Sequence, residues 1–214
     1  ICAPLFLISL FQAISTNFVV IFLGFIDETY SAGLYTIALS IIVIPNIMLF
    51  SFNTAISPKL SQLIKKRKNL EIQENLNAIC GIQTFIGILI FLIVLIFGRE
   101  ILSAWGEDFK DAYDLIIILF IGVIFNLAMG GTGILLTLSG RYNLVSKITF
   151  FSTILNVLLP YFVYLKFGLI GLGYLFVVLA VLVNVVRLIL VKKYFGFYIY
   201  PGFSKKVMKS LIER

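Results

Sequence analysis

Residues Ala112–Leu138 read AYDLIIILFIGVIFNLAMGGTGILLTL, and the only charge in the stretch is Asp114, near its start. A membrane-crossing helix needs about 20 predominantly apolar residues, so this run is long enough to cross hydrocarbon with a turn to spare. Its apolar residues are continuous. A strand of a transmembrane barrel would alternate polar and apolar positions instead. In lipid a helix satisfies its backbone within itself and can be apolar on every side.

Working outward, five more runs have the same character: Pro4–Phe25, Leu34–Ile56 and Ile79–Phe97 before it, Ile148–Leu165 and Leu169–Val191 after it. The expected fold class is therefore an all-α integral membrane protein with six transmembrane helices over residues 1–191, followed by a basic tail at 192–214. Composition agrees: 61% of the 214 residues are hydrophobic and 13% charged, against about a quarter charged in a soluble domain. The chain opens at Ile1 inside an apolar run, so it is expected to be part of a longer protein.

The net charge of +7 does not form the compact basic face that nucleic acid requires, and no nucleic-acid partner is expected. The basic residues sit in the gaps between spans. Fourteen of the 17, among them Lys59, Lys65, Lys66, Arg67, Lys68, Arg141, Lys147, Arg187, Lys192 and Lys193, fall on one side of a six-span topology. Arg99, Lys110 and Lys166 fall on the other, in company with the acidic loop of Glu100, Glu107, Asp108, Asp111 and Asp114. Positive residues near span ends stay in the cytoplasm, which places both ends of this chain there.

With no histidine in the chain, the usual general base and the zinc-protease motif are excluded. Cys2 and Cys80 lack metal-ligand spacing and read as small buried hydrophobes. No carboxylate pair, activated nucleophile or phosphate-cradling glycine loop is present. We expect no catalytic residue, metal or cofactor, and an enzyme such as an integral-membrane glycosyltransferase is disfavoured.

All ten Asp and Glu fall in loops or at their edges, whereas ion-driven carriers generally keep ionisable groups within the membrane. The polar groups inside the spans are neutral. They include Gln12, Ser15, Thr16 and Asn17 in the first, Asn46, Ser51, Asn53 and Thr54 in the second, Gln83 and Thr84 in the third, and Asn126, Asn156 and Asn184 in the last three. Each is either hydrogen-bond glue between helices or the wall of a hydrated path for uncharged polar groups such as sugar hydroxyls. The concentration in the first two spans makes that pair the best site. Arg141 and Arg187, at cytoplasmic span ends, are either snorkelling anchors or holders of an anionic headgroup. Pro45 and Pro160 favour kinks, and the glycines at 130, 131 and 133 and at 168, 171 and 173 permit close helix approach.

The succession AGLYTIALSIIVIPNIMLFSFNTAISPKLSQLIKK, ILSAWGEDFKDAYDLIIIL, FNLAMGGTGILLTLSGRYNL and ILNVLLPYFVYLKFGLIGLGYLF resembles the polysaccharide or O-antigen flippases of the multidrug/oligosaccharidyl-lipid/polysaccharide (MOP) superfamily. The resemblance implies the second six-helix lobe of a two-lobed transporter. It also implies export, by alternating access, of a lipid-linked oligosaccharide across a bacterial or archaeal plasma membrane. Partners would be that substrate, membrane lipids and the missing first lobe. The first two helices of such a lobe line the cavity, which makes Asn17, Asn46 and Asn53 the leading substrate-cavity candidates, with Arg141 and Arg187 as headgroup candidates. Charged cavity residues of related flippases have no counterpart in these spans. The competing readings are a MOP-type drug or metabolite antiporter, which would carry an intramembrane acid, and a non-transporting membrane assembly subunit.

The topology is open to direct test. A cysteine in place of Arg67, in a background lacking Cys2 and Cys80, is expected to react with a membrane-impermeant maleimide only when the cytoplasmic face is opened. Labelling in intact cells would reverse the orientation.

Overall fold

The computed structural model of the chain describes residues 2–26 and 28–202, with side chains from Phe6 onward. Its helices are α1 (Cys2–Phe25), α2 (Thr29–Lys65), α3 (Asn69–Ser103), α4 (Tyr113–Met129), α5 (Gly131–Leu138) and α6 (Tyr142–Phe195), with a 3-10 turn at Glu107–Ala112. No strand occurs among the described residues. The fold class is the all-α membrane architecture that the apolar runs dictate: α1, α2, α3, the turn with α4, and α6 are each long and apolar enough to cross a bilayer.

Two interruptions refine this picture. Gly130 separates α4 from α5 while keeping helical torsions (φ −60°, ψ −24°), so 113–138 behaves as one broken rod. Inside α6, Gly168 takes φ 61°, ψ −155°, a conformation only glycine adopts readily. The chain folds sharply there: a Cβ on Gly171 would stand 3.0 Å from the Val163 side chain, although eight residues of straight helix span about 12 Å. The segment thus comprises two helices, 142–167 and 169–195.

Side-chain pairs set the directions. Ser15 meets Thr153 and Phe22 packs edge-on against Tyr161 and Tyr164, so α1 runs alongside 142–167 in the same sense. Gly173 faces Leu115 and Ile118, Gly122 faces Phe176, and Gly133 faces Arg187, so 169–195 runs parallel to α4 and α5. α3 runs the opposite way, with Gly98 against Tyr113 and Gly131 against Leu76. One end therefore gathers Tyr30, Asp108, Asp111, Arg99 and Lys166. There the Tyr30 hydroxyl shares its one proton between Asp111 Oδ2 (2.8 Å) and the Asp108 carbonyl oxygen (3.1 Å).

The opposite end departs from expectation. The gap between the second and third apolar runs is not a loop: residues 57–76 are helical except at Lys66, Arg67 and Lys68. Apolar side chains at helical spacing explain this: Ile56, Leu60 and Leu63 on α2, and Ile72, Leu76 and Ile79 on α3, are all buried. Arg67, with φ 54°, makes the turn between them. Residues 192–202 of the basic tail also pack against the bundle, with Phe197 and Ile199 buried. α6 continues to Phe195 and ends at a left-handed Gly196 (φ 81°) whose N–H bonds Lys192 O, a common helix stop. Lys205, Lys206, Lys209 and Arg214 lie outside the described residues.

Burial forms two apolar clusters, one toward each end. The first holds Leu34, Ala38, Leu102, Leu115 and Phe120; the second holds Leu60, Leu76, Leu136, Val191 and Ile199. Polar side chains lie between. Gln83 is fully buried, on the stretch of α3 between Cys80, which abuts Gly131, and Gly87, which abuts Leu127. Neither of its amide atoms has a hydrogen-bond partner among the described residues. An unmet buried amide costs about 1–3 kcal/mol, so Gln83→Leu is expected to raise the thermal unfolding midpoint of the detergent-solubilised protein. A lowered midpoint would mean that the amide is satisfied.

A neutral polar cleft between the first two helices

α1 and α2 both border a cleft of about 730 Å³. Thr16, Asn17, Val20 and Ile21 line it from α1, and Thr36, Leu39, Ser40, Val43 and Asn46 from α2. The α2 positions follow a 3- and 4-residue rhythm, so they form one stripe on that helix. Asn156 and Phe176 reach it from the two halves of α6. No Lys, Arg, Asp or Glu is among its lining residues.

Five of the seven polar side chains in this wall are anchored to their own helices. Thr16 donates to Gln12 O (2.9 Å), Asn17 Nδ2 to Ala13 O (2.8 Å), Thr36 to Ala32 O (2.7 Å), Ser40 to Thr36 O (3.0 Å) and Asn46 Nδ2 to Ile42 O (3.0 Å). Such bonds to the preceding turn use one donor each. They leave hydroxyl lone pairs, amide oxygens and second amide protons on a helix face that borders open space. The cleft thus offers both donors and acceptors without net charge, which suits hydroxyl-rich neutral groups.

Other intramembrane polar residues join helices instead. Ser15 meets Thr153 at 2.9 Å, and Asn156 Nδ2 donates to Ser15 O at 3.0 Å, fastening α1 to α6. Asn184 Nδ2 donates to Asn126 Oδ1 at 2.5 Å, fastening α6 to α4. Ser15 and Asn156 do both jobs, since each also lines the cleft.

Of the five residues singled out from the sequence, the structure brings Asn17 and Asn46 to one cleft. Asn53 lies two turns further along α2, half-buried, and does not line it; its Oδ1 has no partner among the described residues. Neither arginine lines it either. Arg187 packs its guanidinium against Gly133, which stands 3.4 Å from it as measured from an added Cβ. Arg141 stacks over Tyr194, 4.1 Å from the ring centroid. Sequence reasoning passed over Thr36 and Ser40, although counting back from Asn46 by 6 and 10 residues along one helical stripe leads to them. Phe176 carried no such signal, because its place in the cleft depends on the fold at Gly168.

A model of the MatE family matches residues 4–162. Among curated proteins, the chain is 25% identical over 169 residues to the capsular polysaccharide biosynthesis protein CapF of Staphylococcus aureus, a match covering 78% of this chain and 43% of that protein. The chain therefore spans less than half the length of this relative. No solved structure matches the chain.

The two classes of amide separate on mutation. Asn184→Leu removes an interhelical bond and is expected to cost about 0.6–2 kcal/mol of stability. Asn46→Leu, which loses only a bond to its own helix, is expected to stay within about 0.5 kcal/mol. Thermal unfolding of the two variants side by side checks the ordering.

Proposed function

The chain belongs to the MatE family, and from that premise we propose that it is the second lobe of a flippase that exports a lipid-linked oligosaccharide for surface polysaccharide synthesis. The protein is a multi-pass membrane protein of the MOP transporter type. In our reading, residues 1–191 form the lobe, a preceding lobe of the same polypeptide faces the α1–α2 cleft, and both ends of this chain lie on the cytoplasmic side of a bacterial or archaeal plasma membrane.

The observation that carries the reading is the cleft itself: seven of its 14 lining residues are Ser, Thr or Asn, set among apolar and aromatic side chains, and none is charged. Sugar hydroxyls need many neutral donors and acceptors, each contributing little, so that the cargo is held and then released. The lipid tail would remain in the bilayer, which spares the protein the need to enclose it. Asn17 and Asn46 contact the saccharide from opposite walls. Arg187, set against Gly133 at the basic end and without an ion pair among the described residues, receives the anionic headgroup. A proton- or ion-coupled drug antiporter would be expected to place an acid in this wall. The likeness to a capsular polysaccharide biosynthesis protein favours the saccharide.

Deleting the full-length gene is expected to accumulate lipid-linked intermediate on the cytoplasmic leaflet and to abolish surface polysaccharide. Complementation with the double variant Asn17→Leu, Asn46→Leu should restore the membrane protein at normal levels but little export. Normal surface polysaccharide in the deletion strain, with no intermediate building up, counts against the reading.

A further inference from the structure

The segment after α6 is held on a track of side-chain amides. Asn69, Gln73 and Asn77 recur every four residues along one face of α3. Asn69 Nδ2 donates to Phe195 O (3.2 Å), Gln73 Nε2 donates to Tyr198 O (3.0 Å), and Asn77 Oδ1 accepts from the Tyr200 N–H (3.1 Å). The Gly202 N–H then donates to Asn77 O at 3.0 Å. A Cβ on Gly81 would overlap the Gly202 carbonyl, so glycine there admits the strap. Along 197–200 the side chains alternate, as in an extended strand: Phe197 and Ile199 are buried in the core at the basic end, while Tyr198 and Tyr200 are exposed.

The outward face is built from rings and cations. Arg141 lies 4.1 Å from the Tyr194 centroid and 5.5 Å from that of Phe195; Lys192 lies 4.4 Å from Tyr198 and Lys193 6.0 Å from Tyr194. A cation over a ring face keeps its charge and its outward N–H groups. The acids nearby on α3 are Glu71, paired with Lys68 at 2.5 Å, and Glu74. None of Arg141, Lys192 and Lys193 makes an ion pair among the described residues. Tyrosine rings favour the headgroup layer, and basic residues at the membrane surface attract anionic lipid.

We propose that the strap at 196–202, with Arg141, Lys192 and Lys193, forms a binding site for the headgroup of an anionic phospholipid, separate from the transport cleft. The cations take the phosphate, and Tyr194 and Tyr198 set the depth of the site at the boundary between headgroups and acyl chains. The docked strap is what places Tyr198 under Lys192, so the site depends on the amide track as well as on charge. It does not rest on the flippase reading, because none of its residues lines the cleft.

The test is a titration of the full-length protein in detergent, followed by thermal unfolding, with short-chain phosphatidylglycerol, phosphatidylcholine of the same chain length, or inorganic pyrophosphate. Phosphatidylglycerol should raise the unfolding midpoint and phosphatidylcholine should not. The double variant Lys192→Gln, Lys193→Gln, both exposed, should weaken the response roughly fivefold per charge removed, while Arg99→Gln at the opposite end leaves it intact. Gln73→Ala and Asn77→Ala loosen the strap without touching a charge, and each should also weaken it. An equal response to phosphatidylcholine, or to pyrophosphate alone, overturns the proposal. So does an unchanged response in the lysine variant or in both amide variants, the last indicating unstructured charge attraction only.

Discussion

Hydrocarbon supplies no hydrogen bonds, and the architecture of this protein follows from that. Every backbone N–H and C=O within the bilayer must find its partner in the chain, so each spanning segment is a helix. The same constraint acts on side chains. Thr16, Asn17, Thr36, Ser40 and Asn46 each return a donor to the preceding turn of their own helix. That local solution makes a polar wall tolerable in lipid surroundings while leaving acceptors turned toward the cleft. Asn184 and Thr153 make the same bond to their own preceding turn, but they also reach Asn126 and Ser15 on neighbouring helices and so help hold the bundle together.

Glycine positions decide where the rods may bend or touch. Gly168 adopts torsions closed to other residues and turns α6 back on itself, which sends 169–195 along α4 and brings Phe176 to the cleft. Gly133 makes room for the Arg187 guanidinium, and Gly122 for Phe176. Two apolar clusters, one toward each end, lock the rods above and below a middle layer that contains Gln83 and the Asn126–Asn184 pair.

The basic end shows a second use of the same chemistry. There the bilayer gives way to headgroups and water, and helices lengthen beyond the apolar spans because their buried stripes continue. α2 and α3 extend past the spans as a helical pair joined at Arg67, and the strap from Gly196 to Gly202 is stitched to α3 through side-chain amides. Aromatic rings and cations then cover the outside. The arrangement ties the end of α6 to the start of α3, so these two helices share one rigid terminus.

The sequence alone determined the all-α membrane class, the approximate positions of the apolar runs and the segregation of basic residues to one end, because each rests on local composition: hydrocarbon selects long uncharged stretches whatever their neighbours are. It also marked the first two spans as the polar-rich pair, and Asn17 and Asn46 do share a cleft. It did not distinguish Asn46 from Asn53, seven residues apart on the same helix, since only the packing of the helices around the cleft decides which of them lines it. Nor did it separate amides that glue from amides that line, because Asn184 and Asn46 each bond the carbonyl four residues back, only Asn184 also reaches a residue 58 positions away, and both read as lone polar residues in apolar runs. The strap was hidden for the same reason: its partners at Asn69, Gln73 and Asn77 lie more than 120 residues earlier in the chain, and only tertiary packing brings the two stretches together.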